Sequence, residues 1–154
     1  MRIEGGELPA GPYTLAIDPG ADQGWALAHG GCLWGCGLGD VPRDFIPLAG
    51  AATIEHPMVY PGGRTKDPNS IVKLAWRAGE TAGLLRFYGW SVTPVLPTQW
   101  KGNAPDRVTL ARTKLALSPA EAATMARCLG GLPKSKAHNV TDAVGILLWA
   151  LKRY

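Results

Sequence analysis

Between Tyr13 and Gly37 the chain alternates short apolar runs with tight-turn signals, and this pattern restricts its fold more than any other feature. Tyr13–Asp18 (YTLAID) is stopped by Pro19-Gly20, and Gly24–His29 (GWALAH) is followed by Gly30-Gly31 and then Cys32–Gly37. Runs of this length bounded by Gly and Pro are strands, and a Gly-Gly pair is a two-residue hairpin signal. The spacing therefore predicts three antiparallel strands at the start of the domain, preceded by a short arm over residues 1–12. Residues 38–50 hold two prolines and no helical period, which predicts a loop. Ala51–Glu55 (AATIE) is a fourth apolar run ending in an acid before His56-Pro57, and the Gly- and Pro-rich segment Val59–Asn69 is expected to be an exposed loop.

Helical periodicity begins after residue 69. Ile71, Leu74, Ala75, Ala78, Ala82 and Leu85 form a stripe over Ser70–Tyr88, stopped by Gly89. Ser91–Leu96 reads as a strand whose Pro94 suits an edge or a strand end. A short helix is expected over Pro105–Leu117. Ser118-Pro119-Ala120-Glu121 is a capping box that opens another helix, ending near Gly130-Gly131. Val140, Ala143, Val144, Leu147, Leu148 and Leu151 mark a last helix over Asn139–Lys152. The expected fold is α/β, a mixed five-stranded sheet of three antiparallel strands followed by alternating helix and strand, with helices on both faces.

Composition excludes several classes. With 154 residues, 46% of them hydrophobic, the chain has enough apolar side chain for one core. No apolar run approaches the ~20 residues of a membrane span, and the N-terminus lacks a signal-peptide core. Cys32, Cys36 and Cys128 are too few and too scattered for a disulfide framework or a tetrahedral zinc site, so reduced structural thiols in a cytoplasmic protein are expected. The net charge of +4 is unevenly divided. Residues 1–60 hold two basic residues against seven acids (−5), whereas residues 61–154 hold fourteen against five (+9). An acidic half joined to a basic half suits a metal-dependent enzyme acting on a polyanion.

Three acids stand out. Asp18 and Glu55 each end a strand, and neighbouring strands lie ~4.8 Å apart, so a mixed sheet can set them side by side. Asp142 is expected in the first turn of the last helix, where dipole stabilisation is an equally good explanation for it. His138 (i−4) and Asn139 (i−3) can share its face, although Asn139 is also a good N-cap. Gathered together, these carboxylates would repel unless divalent cations lay between them, and hard oxygen donors favour Mg2+ or Mn2+. Two such ions can clamp the attacking and leaving oxygens of a phosphodiester.

Five segments, in order, resemble the RuvC-type Holliday junction resolvases of the ribonuclease H-like superfamily: LAIDPGADQGWAL (15–27), TIEHPMVYPG (53–62), NSIVKLAWRAGETAG (69–83), PTQWKG (97–102) and HNVTDAVGILLWAL (138–151). The resemblance implies one ribonuclease H-like nuclease domain over residues 13–154, hydrolysing phosphodiesters at four-way junctions with two Mg2+ or Mn2+ ions. It implies Asp18, Glu55 and Asp142 as catalytic metal ligands and Lys101 as the group facing the scissile phosphate. The family has Asp or His three residues before the last Asp. This chain has Asn139 there and His138 one further back, so the fourth ligand is open between them. The family's long helix between its third and fourth strands does not fit residues 38–50, and Arg107 is the candidate for a second basic residue.

DNA contacts are expected from Arg64, Lys66, Lys73, Arg77, Lys134 and Lys136, with Met58 or Tyr60 wedging at an unpaired base. Trp25, Trp76 and Trp149 fit core positions, whereas Trp100 adjoins Lys101. Gly79 and Gly83 permit close helix approach, either to the chain's own sheet or at the two-fold axis of a homodimer, the symmetry that cutting two strands favours. The compact size and the missing helix before Glu55 point to a phage-type version, and the expected place is the cytoplasm, with the nucleoid or as a phage-encoded protein in a bacterial host. The rival readings are a ribonuclease H-like nuclease acting on RNA or other branched DNA, and a junction-binding module with a weak site. Sugar kinases and actin-like ATPases share the Asp-x-Gly opening, but they need two lobes and 154 residues leave no room.

Overall fold

In a computed structural model the chain is described over residues 9–20, 22–58 and 67–154. The opening strands are β1 (Tyr13–Asp18), β2 (Gly24–His29) and β3 (Cys32–Leu38), followed by β4 (Gly50–Glu55) and β5 (Ser91–Val95). Five helices follow β4 in the chain: α1 (Pro68–Phe87), α2 (Pro97–Trp100), α3 (Asp106–Ala116), α4 (Pro119–Leu129) and α5 (Lys134–Ala150). The sheet order is β3-β2-β1-β4-β5. β1, β2 and β3 pair antiparallel, whereas β4 runs parallel to both β1 and β5. This is the mixed sheet the strand and helix patterns predict. Gly30 and Gly31, at φ +56 and +81, make the β2–β3 turn in the left-handed region that other residues resist. Pro94 lies on the edge strand, where its missing N–H breaks no inner ladder.

Alternation along the strands divides the interior into two layers. Leu15, Ile17, Leu27, Ala52 and Ile54 face one side and pack with Ala78 and Leu85 of α1 and with Phe45 and Trp90. Ala16, Ala26, Ala28, Cys36 and Val95 face the other and pack with Val140, Ala143, Val144 and Leu147 of α5. Helices therefore cover both faces. The covering is unequal, since α5 buries nine residues and α1 only two. Cys32, Cys36 and Cys128 are all free thiols. No helix among the described residues is long and apolar enough to cross a membrane.

The structure corrects three local expectations. Residues 38–50 are not wholly irregular: a 3-10 helix over Arg43–Leu48 buries Phe45 edge-on against Trp25, at 5.5 Å between ring centroids. So short an element, with Pro47 inside it, carries no readable period. Trp76 is not a core residue; it is 71% exposed on α1, whereas Trp25 is buried and Trp149 packs partly buried against the α5 layer. The last helix starts at Lys134 and not at Asn139. Asp142 is then the ninth residue of α5, beyond the reach of the helix dipole, and Asn139 is no N-cap. The polar first turns Lys134–His138 add nothing to the apolar stripe, and Pro133, set just before the helix, is the signal that marks the true start.

One buried ion pair fastens the α5 side. Glu121, 3% exposed at the third position of α4, accepts both guanidinium nitrogens of Arg153 at 2.6 and 2.8 Å. It also accepts the Leu33 and Ser118 amides, each at 2.8 Å. Its carboxyl is held down to about 2, chiefly by Arg153 against the opposing effect of burial. A depressed acid adds stability that is complete above its unfolded value near 4.5 and is lost as pH falls toward 2. Glu121→Gln is expected to cost about 3 kcal/mol at pH 7, with the deficit shrinking below pH 4.5. Urea unfolding at pH 7 and pH 3 checks this; an equal deficit at both would show that the carboxylate's charge is not what stabilises the fold.

Candidate active site

The strand pattern that builds the two layers also aims the acids. Ala16 faces the α5 layer, so Asp18, two residues on, faces it too. On β4, Ala52 and Ile54 point to the α1 layer, which turns Glu55 toward α5. The parallel register pairs Ile17 with Ile54, bringing the two acids to the same end of adjacent strands. Pro19 and Pro57 follow closely and end both runs. Gly24, at the start of β2, lets α5 come close, because a Cβ there would lie 2.1 Å from the Asn139 carbonyl oxygen. Asp142 stands on that helix, one turn beyond this contact.

Burial, followed by repulsion from Glu55 and Asp142, pushes the Asp18 carboxyl up to about 7, although Lys101 and the Gly20 amide oppose it. Burial also raises Glu55, against the Trp100 indole and Lys101. Asp142 is raised by burial as well, with Lys101 countering. The three carboxyls thus lie within electrostatic reach of one another and share too little positive charge. Lys101 Nζ stands 3.5 Å from Asp142 Oδ2 and 4.9 Å from the centre of the Trp100 ring. Burial works to lower the Lys101 ammonium, but Asp142, Glu55 and Asp18 outweigh it and hold it protonated.

Among the described residues, no three His, Cys, Asp or Glu side chains close into a ready-made metal cage. The donor chemistry nevertheless fits a hard divalent cation: three carboxylates, all oxygen, each more ready to hold a proton than it would be in water. Asp18, Glu55 and Asp142 are the residues that would hold it.

The remaining candidates are dispersed. Asn139, 8% exposed, donates its amide to the Asp22 carbonyl at 2.7 Å, with its Oδ1 beside Gly20. It ties the β1–β2 turn to α5. His138 is exposed, close enough to Asp142 to favour its ionised form, and lines a groove of about 970 Å3 between α1 and the start of α5. Lys73 and Arg77 line the same groove, and Arg77 pairs with Asp40 at 3.3 Å. Lys136 pairs with Asp22 at 2.9 Å, Lys134 is exposed, and Met58 is half-buried just past Glu55. Tyr60, Arg64 and Lys66 lie outside the described residues. Arg107 is exposed on the first turn of α3, and its neighbour Asp106 is the residue that acts on Lys101 and Asp142.

Two residues of the site were not legible as such. Asp106 looks like an ordinary helix-start acid after Pro105. Trp100 stands out in the sequence only as the neighbour of Lys101, and nothing there links it to Glu55, whose Oε2 accepts its indole Nε1 at 2.6 Å.

This sheet order, with acids at the ends of its two central strands and on the last helix, defines the ribonuclease H-like fold class. Within it, the chain is similar to RuvC of Thermus thermophilus solved in complex with a Holliday junction substrate. The two superpose with a TM-score of 0.59 at 19% identity, over 92% of this chain and 94% of that one. A second structure of Thermus thermophilus RuvC matches with a TM-score of 0.51 at 17% identity, over 90% and 93%. No protein-family model matches the chain, and no curated protein matches it in sequence. The likeness is one of fold.

Because the folded state raises the Asp18 carboxyl from 3.8 to about 7, its charge opposes folding, increasingly as pH rises through that interval. Asp18→Asn is therefore expected to stabilise the metal-free protein by about 1–2 kcal/mol at pH 8, with no gain below pH 4. Millimolar Mn2+ is expected to raise the melting temperature of the unsubstituted protein and leave that of the variant unchanged. Thermal unfolding with and without EDTA tests both; a variant no more stable than its parent would mean that the buried Asp18 carboxylate does not oppose folding.

Proposed function

We propose that the chain is a divalent-metal-dependent DNA endonuclease that cuts four-way junctions. What carries this reading is the set of three mutually repelling carboxyls, Asp18, Glu55 and Asp142, gathered from β1, β4 and α5 with one protonated lysine among them. A purely structural site gains nothing from buried like charges, whereas phosphodiester hydrolysis uses such a set. The fold shared with a junction-bound RuvC and the basic second half of the chain support branched DNA as the substrate.

When bound at these carboxylates, a pair of Mg2+ or Mn2+ ions would supply Lewis acidity to the attacking and leaving oxygens. The chain's own residues do the rest. The carboxylates, carried on rigid elements, would hold the ions, with Asn139 or His138 as the further ligand. Lys101, 3.5 Å from Asp142, can turn from that carboxylate to a phosphate oxygen and offset the charge that develops there. Exposed Lys73 and Lys134, with Arg77, Lys136 and Arg107, neutralise phosphates along the arms, as would Arg64 and Lys66. Met58 or Tyr60, two of the residues that follow Glu55 in the sequence, would wedge at the crossover.

The protein works as a homodimer in this reading. An added Cβ at Gly79 or Gly83 would meet no described atom within 4 Å, so these glycines do not serve packing on the chain's own sheet. They lie on α1 in line with exposed Val72, Trp76 and Phe87, a stripe at i+3 and i+4 spacing that a second copy can cover. Such an enzyme belongs in the cytoplasm, with the nucleoid or with phage DNA.

Purified protein is expected to nick a four-way junction with Mg2+ or Mn2+ and to leave duplex DNA and RNA uncut. Asp18→Asn is expected to abolish nicking and keep binding. Preferential cutting of RNA or forks would move the assignment to another ribonuclease H-like nuclease, and tight junction binding without any nicking would make the chain a binding module. Lys101→Ala is expected to slow nicking 10–100-fold with less than a threefold change in junction affinity; unchanged turnover would remove it from catalysis. In light scattering, Trp76→Glu is expected to halve the mass of the native particle, and an unaltered mass would place the two-fold axis elsewhere.

A further inference from the structure

The indole of Trp100 is enclosed on every side that matters to the acids. Gln99 Oε1 accepts the Leu96 amide at 2.7 Å, closing the single turn of α2 and fixing the direction in which residue 100 leaves it. Only 2% of Trp100 is exposed. One edge of the ring presents Nε1 to Glu55 Oε2 at 2.6 Å, a charge-assisted distance. The opposite edge rests on α5, where a Cβ at Gly145 would come within 2.7 Å of the ring. Gly145 and Asp142 are three residues apart and so share a helix face. The indole is therefore a spacer between the helix that carries Asp142 and the strand that carries Glu55.

We propose that Trp100 is a positioning residue for metal binding, setting the Glu55 carboxylate at a fixed distance and rotation from Asp142. This rests on the nuclease reading above and deepens it. Indole N–H is a donor only and engages Oε2, and among the described residues no hydrogen bond reaches Oε1, the oxygen that would turn to a ligand. A flexible Glu would otherwise lose rotamer freedom each time an ion bound, whereas one held in advance has already lost it. Gly145 contributes by absence of a side chain. A Cβ there would press on the indole at 2.7 Å, as well as on the Tyr154 hydroxyl at 2.9 Å and Thr113 Oγ1 at 3.2 Å, and the fully enclosed ring has the least room to yield without shifting against Glu55. Lys101, next along the chain and 4.9 Å from the ring centre, is placed by the same turn.

The test is Mn2+ titration of the full-length protein by calorimetry, with Tm measured in EDTA. Trp100→Phe keeps an aromatic ring and removes the donor; it is expected to weaken Mn2+ binding about 10–100-fold. Gly145→Ala keeps the donor and crowds the ring from the α5 side, and is expected to weaken Mn2+ binding, by less than Trp100→Phe where Tyr154 and Thr113 absorb part of the clash. Leu147→Ala, which opens the same core layer away from the acids, is expected to lower Tm more than either and leave Mn2+ affinity within threefold. Equal affinity in the parent and in Trp100→Phe would overturn the proposal, as would a loss that simply follows Tm across the three variants. A parent that binds no Mn2+ and nicks no junction would instead overturn the nuclease reading. Should Trp100→Phe not fold, the metal-free parent decides through its indole N–H resonances. Glu55→Ala is expected to move one slowly exchanging, downfield signal upfield, and a spectrum with no such change would refute the contact.

Discussion

Parallel pairing between β1 and β4 is the constraint from which the site follows. It sets two strand ends in register at the middle of the sheet, and period-two alternation then sends Asp18 and Glu55 to the same face. A slip of one residue would turn Glu55 to the α1 side and separate the pair. The register is held by apolar contacts on both faces, Leu15, Ile17 and Ile54 on one and Ala16 on the other. Packing far more extensive than the site itself thus fixes where the charges stand.

The arrangement opposes folding locally. Three partly buried carboxyls with one ammonium among them leave excess negative charge, and Asp18 bears most of the strain. Opposite charges are closely matched elsewhere in the same layer. Arg153 meets Glu121 bidentately, and Glu121 also takes the backbone amides of Leu33 and Ser118. A fold that tolerates an unbalanced cluster at one end of its sheet is fastened at the other, which is the usual division between functional and structural charge.

Much of this could be read from residue order. The turn signals at Pro19-Gly20 and Gly30-Gly31 delimit the opening strands, the capping box at Ser118 opens α4, and the acids after YTLAI and AATI mark strand ends. What escaped reading were features that depend on contact. The 3-10 helix at Arg43–Leu48 is too short for a period, and Trp76 matches a core spacing on a helix only one side of which is covered. The start of α5 was hidden because its first turns are polar. Asp106 reaches the site through tertiary placement that neither its type nor its spacing announces, and Trp100, visible only as the neighbour of Lys101, meets Glu55 through the same kind of placement.

The clamping of α5 bears on how the site can adapt to a substrate. Near its beginning the helix is stitched to the β1–β2 turn by Asn139 and pressed on Gly24, and just past its end Arg153 is moored to Glu121 of α4 and the Ala116 carbonyl of α3. A rod secured at both ends cannot slide, so Asp142 behaves as a fixed reference mark against the sheet. Lys101, by contrast, sits at the end of a four-residue helix and is followed by Gly102 in the left-handed region. Of the two charged sides of the cluster, the cationic arm is therefore the one with room to adjust, while the anionic seat stays still.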